Sequence, residues 1–111
     1  MTDTMAATAP VDIPHLRALT MSDPVIEREV LALFGDRAAA ALRAILKADA
    51  PGRRREAAHR LAGAAKAIGA WELAAIAGEI ELQEQLSSAT AEALSRSMGE
   101  VVDYVTLRLA S

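Results

Sequence analysis

Leu94, Met98, Val101, Val105 and Leu109 recur at three- and four-residue steps towards the end of the chain. That spacing returns every apolar side chain to one face of a helix, which turns once in about 3.6 residues. A half-buried strand needs alternation at every second residue instead, and no segment shows it. Val25, Ile26, Val30, Leu31, Leu33 and Phe34 give the helical pattern earlier, and Leu73, Ile76, Ala77 and Ile80 give it again. Hydrophobic residues make up 52% of the 111 residues but aromatics only 3%. The core therefore has to be built from Leu, Ile, Val, Met and Ala, which suits closely packed helices better than strands rich in aromatic and β-branched residues.

Proline, glycine and capping residues divide the chain. A short helix is expected after Asp12, with Pro14 in its first turn, running towards Leu19. Ser22 or Asp23 then caps a long helix with Pro24 in its first turn. This helix continues through Leu42, Ile45 and Leu46 to about Asp49, with Gly35-Asp36 as a place for a kink or a break. Ala50-Pro51-Gly52 reads as a turn. The next helix runs from about Arg53 to Ile68 and is ended by Gly69. A third long helix follows from about Ala70 to Leu86, Ser87-Ser88 breaks it, and the last spans about Thr90 to Leu109. Residues 1–10 read as a disordered tail and 11–111 as one helical domain. Short connections place successive helices side by side. The expected fold is all-α, an antiparallel four-helix bundle preceded by a short N-terminal helix.

Several functions are disfavoured by composition. The net charge of −3 provides no excess of cations to neutralise a nucleic-acid backbone. Without cysteine there is neither a disulfide nor a thiolate metal site, and His15 and His59 lack the paired spacing of a metal motif. No apolar run approaches the roughly 20 residues of a membrane span. The first residues, MTDTMAATAP, have neither a basic region nor an apolar one, so no signal peptide is expected. A cytoplasmic, monomeric protein with no metal is expected, and the Met1 start favours a free-standing one.

His59 stands out within AAHRLAGAAKAIGA, residues 57–70. With Leu61 set at the centre of the buried stripe, Ala57, Ala58, Ala64, Ala65 and Ile68 fall within about 60° of it, and His59 falls about 160° away. Gly63 lies one turn on from His59, Lys66 two turns on, and Arg55 and Glu56 about one turn before. Ala62 borders this face. Gly63 in a helix interior costs about 1 kcal/mol against Ala; with Ala62 and Ala67 it leaves a shallow surface that a bulky partner could reach. A neutral imidazole is a competent nucleophile. The sequence places no acid beside His59 in the manner of a hydrolase triad, and no serine or cysteine nucleophile.

His59, Arg60, Leu61, Ala62, Gly63, Ala64 and Ala65, followed by Gly69-Ala70, resemble the signature of the histidine-containing phosphotransfer (HPt) domain of bacterial phosphorelays. Glu79 and Glu81 lie where such domains commonly carry an acidic residue in the next helix. The resemblance implies that His59 accepts a phosphoryl group from the aspartyl phosphate of one receiver domain and passes it to the aspartate of another. The donors and acceptors would be the receiver domains of a hybrid histidine kinase and of a response regulator. It implies a phosphoryl carrier without kinase or ATPase activity, with no cofactor of its own and Mg2+ bound only by the receiver. No Gly-rich phosphate loop with its lysine occurs in the sequence. The family usually has lysine where this chain has Ala62. Lys66 is the candidate replacement, about 10 Å along the axis at 1.5 Å per residue, with Arg55 or Arg60 as other sources of positive charge.

Arg53-Arg54-Arg55 reads either as a cluster that steers an acidic receiver pocket or as a solvated turn. Ala74, Gly78, Glu81 and Gln85 share a face of the third long helix, and Gly78, Glu81 and Gln85, with Glu56, are the candidate docking residues. Trp71 reads as a core or edge anchor, and His15 as a surface or helix-edge histidine. Two rival readings remain: a degenerate HPt-like bundle that binds a receiver or kinase as an adaptor or inhibitor without carrying phosphate, and a structural or dimerisation bundle.

Overall fold

A computed structural model describes residues 9–110; all but the last two residues of the expected N-terminal tail lie outside them. The described residues form five α-helices and no strand: α1 Ile13–Thr20, α2 Pro24–Lys47, α3 Pro51–Ile68, α4 Trp71–Leu82 and α5 Ser88–Ala110. Their starts follow local chemistry. Asp12 caps α1 by accepting from the His15 amide at 3.1 Å, and Asp23 caps α2 by accepting from the Val25 amide at 2.8 Å. Asp23 also accepts from the Ile26 amide at 3.3 Å, so the caps satisfy one first-turn amide of α1 and two of α2. Pro24 and Pro51 occupy first-turn positions, where the missing amide hydrogen costs nothing.

Four boundaries differ from the sequence reading. α2 runs unbroken through Gly35 and Asp36; a single glycine costs a helix interior only about 1 kcal/mol, and the buried residues Leu31, Phe34, Ala38 and Ala41 on either side hold it in place. α3 begins at Pro51, not Arg53, so the expected turn is already helical. α4 ends at Leu82, not Leu86, with Gln83 extended at ψ 138°. The Arg54 guanidinium, reaching across from α3, holds the Glu84 carbonyl beyond the helix. α5 starts earlier than Thr90, at Ser88, because Ser87 Oγ accepts from the Thr90 amide at 3.1 Å.

α3 packs between α2 and α4, and α5 closes against both α4 and α2, while α1 lies on α2 and α3. The interfaces are rich in alanine: Ala38 and Ala41 of α2, Ala57, Ala58 and Ala65 of α3, and Ala74 and Ala77 of α4 are all buried. Small side chains let the helix axes approach, and Leu16, Leu31, Ile45, Leu61, Leu73, Ile80 and Leu94 fill the remaining space, each fully buried. A buried Leu or Ile contributes about 1.5–3 kcal/mol relative to exposure. Arg108 Nε donates to Glu27 Oε2 at 3.0 Å and an Arg28 guanidinium nitrogen donates to the Leu109 carbonyl at 2.6 Å, fastening the end of α5 to the start of α2.

The buried arc of α3 is rotated from the one centred on Leu61. Ala62, expected to border the His59 face, is only 4% exposed, whereas Ala64, expected inside the buried arc, is half-buried. α3 is wedged between α2 and α4, and Ala64 lines an open groove on the α2 side. A wheel drawn on one helix carries no information about where its neighbours stand.

Candidate functional site

Fully helical backbone on both sides of His59 fixes its direction, away from the buried Ala57, Ala58 and Leu61. Its side chain is 78% exposed. The sequence reading placed no acid beside it, and the structure corrects this: Glu81 of α4 brings Oε1 to 2.9 Å from His59 Nδ1. Glu81 is 30% exposed, so the ring stands further into solvent than its partner. An ionised carboxylate can only accept, so Nδ1 carries the hydrogen and donates it to Glu81. In a neutral imidazole the lone pair then resides on Nε2. The sequence signal for this contact was the Glu79/Glu81 pair; the packing of α4 on α3 selects Glu81, and Glu79 remains exposed on α4.

The other candidate residues fall into two groups. Gly63 is exposed, and no neighbouring atom lies within 4 Å of the place where its Cβ would be, so the surface one turn on from His59 is open. Arg55, Glu56, Arg60 and Lys66 are exposed on α3 around it. Gly78 is half-buried on α4 with open space at its Cβ position. Ala62 is not part of the open surface, because it turns into the core. Gln85 does not share a helical face with Gly78 and Glu81, since α4 has ended before it.

The arginine cluster separates in the same way. Arg53 pairs with Asp49 at 3.1 Å. Arg54 is half-buried and directed at the Glu84 carbonyl. Only Arg55 of the three stands free on the His59 side.

His15 lies elsewhere and is occupied. Its Nε2 donates to the Ala67 carbonyl at 3.1 Å, and its ring meets Trp71 edge-on with centroids 4.9 Å apart. Trp71 Nε1 donates to Asp12 Oδ2 at 2.9 Å, which makes the indole the edge anchor expected. That donation, with the His15 amide, holds the Asp12 carboxyl below its usual range. No group of His, Asp or Glu among the described residues is arranged to hold a metal ion, and no described helix is long and apolar enough to cross a membrane.

Sequence reasoning missed Arg37. It projects from α2 into a groove of about 510 Å³ that it shares with Arg60, Gly63, Ala64 and Ala67 of α3. Nothing in its local sequence distinguishes it from other surface arginines.

A family model described as the Hpt domain matches residues 29–109. Comparisons with curated proteins and with solved structures return no match.

Proposed function

Since the chain belongs to the Hpt domain family, we propose that His59 is its phosphoacceptor. Hpt domains are phosphoryl carriers of phosphorelays, without catalytic activity of their own, and they interact with receiver domains of kinases and response regulators. The observation that carries the assignment is the Nδ1–Glu81 hydrogen bond at 2.9 Å on a 78% exposed ring. It leaves Nε2 as an unshared, solvent-facing lone pair on a rigid helix.

In the transfer, the Nε2 lone pair attacks the phosphorus of a receiver's aspartyl phosphate. The bond between phosphorus and the acyl oxygen breaks, and its electron pair returns to the aspartate as carboxylate. Nδ1 keeps its proton throughout, and Glu81 balances the positive charge that develops on the ring. Reversal of these steps onto a second receiver completes the relay. Such chemistry is mostly positioning and charge stabilisation of an in-line displacement. Gly63 gives the receiver backbone room to close over the ring. Mg2+ is the receiver's, and one donor is the receiver domain of a hybrid kinase, with a response regulator as acceptor.

The finer architecture belongs to this reading. Each of α2 to α5 packs on two of the others, and the start of α2 is tied to the end of α5. Both support an antiparallel four-helix bundle with α1 laid against it, within a domain that we take as residues 11–111 of a monomeric, cytoplasmic protein. The buried Ala62, where the family usually has lysine, favours a second reading: a bundle that binds receivers without carrying phosphate.

The deciding experiment charges a panel of receiver domains with radiolabelled phosphate, adds this protein, and scores acid-labile label on it. Label that persists in His15→Ala and disappears in His59→Ala is the expected result. Receiver binding without label on any variant overturns the carrier and leaves the adaptor.

A further inference from the structure

We propose that Arg37 of α2 and Arg60 of α3 form a cationic rim on which the acidic phosphoacceptor face of a receiver domain docks, supplying the positive charge that Ala62 does not. The proposal rests on the phosphotransfer reading of His59.

Three observations converge on it. The first is position. The groove of about 510 Å³ between α2 and α3 has Ala40, Gly63, Ala64 and Ala67 along it, with Arg37 and Arg60 beside them. Gly63, one turn on from His59, lines the groove on the α2 side of α3, while Glu81 meets His59 from α4. Arg37, Ala64 and Ala67 also line its continuation towards Leu33, a leucine 50% exposed. The groove is therefore an extended trough, with Arg37 at the junction of its two parts.

The second is charge. The chain carries −3 overall, yet neither guanidinium of this trough is in an ion pair. Arg108 pairs with Glu27, and Arg53 pairs with Asp49 in an adjoining depression that Arg60 lines with Glu56. Arg54, the middle of the sequence cluster, is turned to Glu84. Guanidinium groups match carboxylates in a planar, two-point geometry, and opposite charges across an interface raise the association rate and fix register. A cluster of aspartates is the surface that these two arginines complement.

The third is the burial of Ala62 at 4% exposure. Its methyl side chain packs into the core, so the position that usually bears the family's lysine presents no charge in this chain. The trough adds positive charge on the α2 flank, where neither of the exposed α3 cations Arg55 and Lys66 lies.

The test measures the initial rate of phosphoryl transfer to this protein from a receiver domain charged with radiolabelled acetyl phosphate, at low and high salt. Arg37→Glu and Arg60→Glu are each expected to slow transfer about tenfold or more at low salt, with a flatter salt dependence. Arg37→Lys keeps the charge and is expected to stay within about threefold of the parent rate. Arg43→Glu, an exposed position of α2 that does not line the trough, is expected to leave the rate unchanged. Both Glu variants transferring at the parent rate, with His59 labelled, overturn the rim and leave the phosphotransfer reading intact. Absence of label on the unaltered protein from every receiver overturns that reading, and the rim with it.

Discussion

Glu81 decides which nitrogen of His59 carries the lone pair. With Nδ1–H committed to the carboxylate at 2.9 Å, the lone pair is held on Nε2, on the side of the ring away from Glu81. Glu81→Gln retains an oxygen that accepts from Nδ1–H but loses the charge; Glu81→Ala loses both. Nitrogen NMR of the imidazole is expected to show the Nδ1–H tautomer kept in Glu81→Gln and lost as the dominant form in Glu81→Ala. Transfer should slow by about tenfold in the alanine variant, and the glutamine variant should lie between it and the parent. The spectroscopic readout separates orientation of the ring from a general loss of fold.

At the level of elements, the two glycines flanking the second half of α3 do opposite things. Gly69 sits at φ 84°, and a Cβ there would come to 3.0 Å from Asp12 Cβ and 3.2 Å from the Asp12 carbonyl oxygen. The left-handed turn lets the Gly69 amide reach Lys66 and the Ala70 amide reach Ala65, ending α3 and redirecting the chain into α4. Gly69→Ala is expected to destabilise the protein by about 1–2 kcal/mol. Gly63 is in an open helix interior, so Gly63→Ala is expected to stabilise by up to about 1 kcal/mol. Urea unfolding of the two variants measures both. A glycine retained at a position where alanine is more stable fits a surface that a partner has to approach closely. The helix stop at Gly69 was legible in the sequence because it depends only on local backbone geometry. The end of α4 was not, since Leu82 is followed by chain held by Arg54, thirty positions earlier.

Across the whole molecule, α1 is secured to the junction of α3 and α4 by polar contacts of modest size. The Asp12 amide donates to the Gly69 carbonyl at 2.9 Å, Asp12 accepts from Trp71, and His15 donates to Ala67. Hydrogen bonding from Trp71, then from the His15 amide, lowers the Asp12 carboxyl from its ordinary 3.8. A lowered carboxyl stabilises the fold above the unfolded-state value, and this contribution is lost as pH falls through the lower folded-state value. Asp12→Asn, which keeps a capping oxygen, should therefore have a lower Tm than the parent near neutrality, and the difference should shrink as the pH is taken below 3.8. Thermal unfolding followed by circular dichroism over that range checks the sign.

The sequence by itself determined that the chain is helical, where most helices begin, and that His59 faces away from Leu61. These follow from periodicity and capping, which act over one or two turns. Only the tertiary structure decided that Glu81 rather than Glu79 meets His59, that Ala62 is buried, and that Gln85 is off the helix. It also brought Arg37 beside Arg60. Each depends on how one helix is rotated and seated against another, and that is set by the interlocking of side chains across several interfaces at once, which no single stretch of residues encodes.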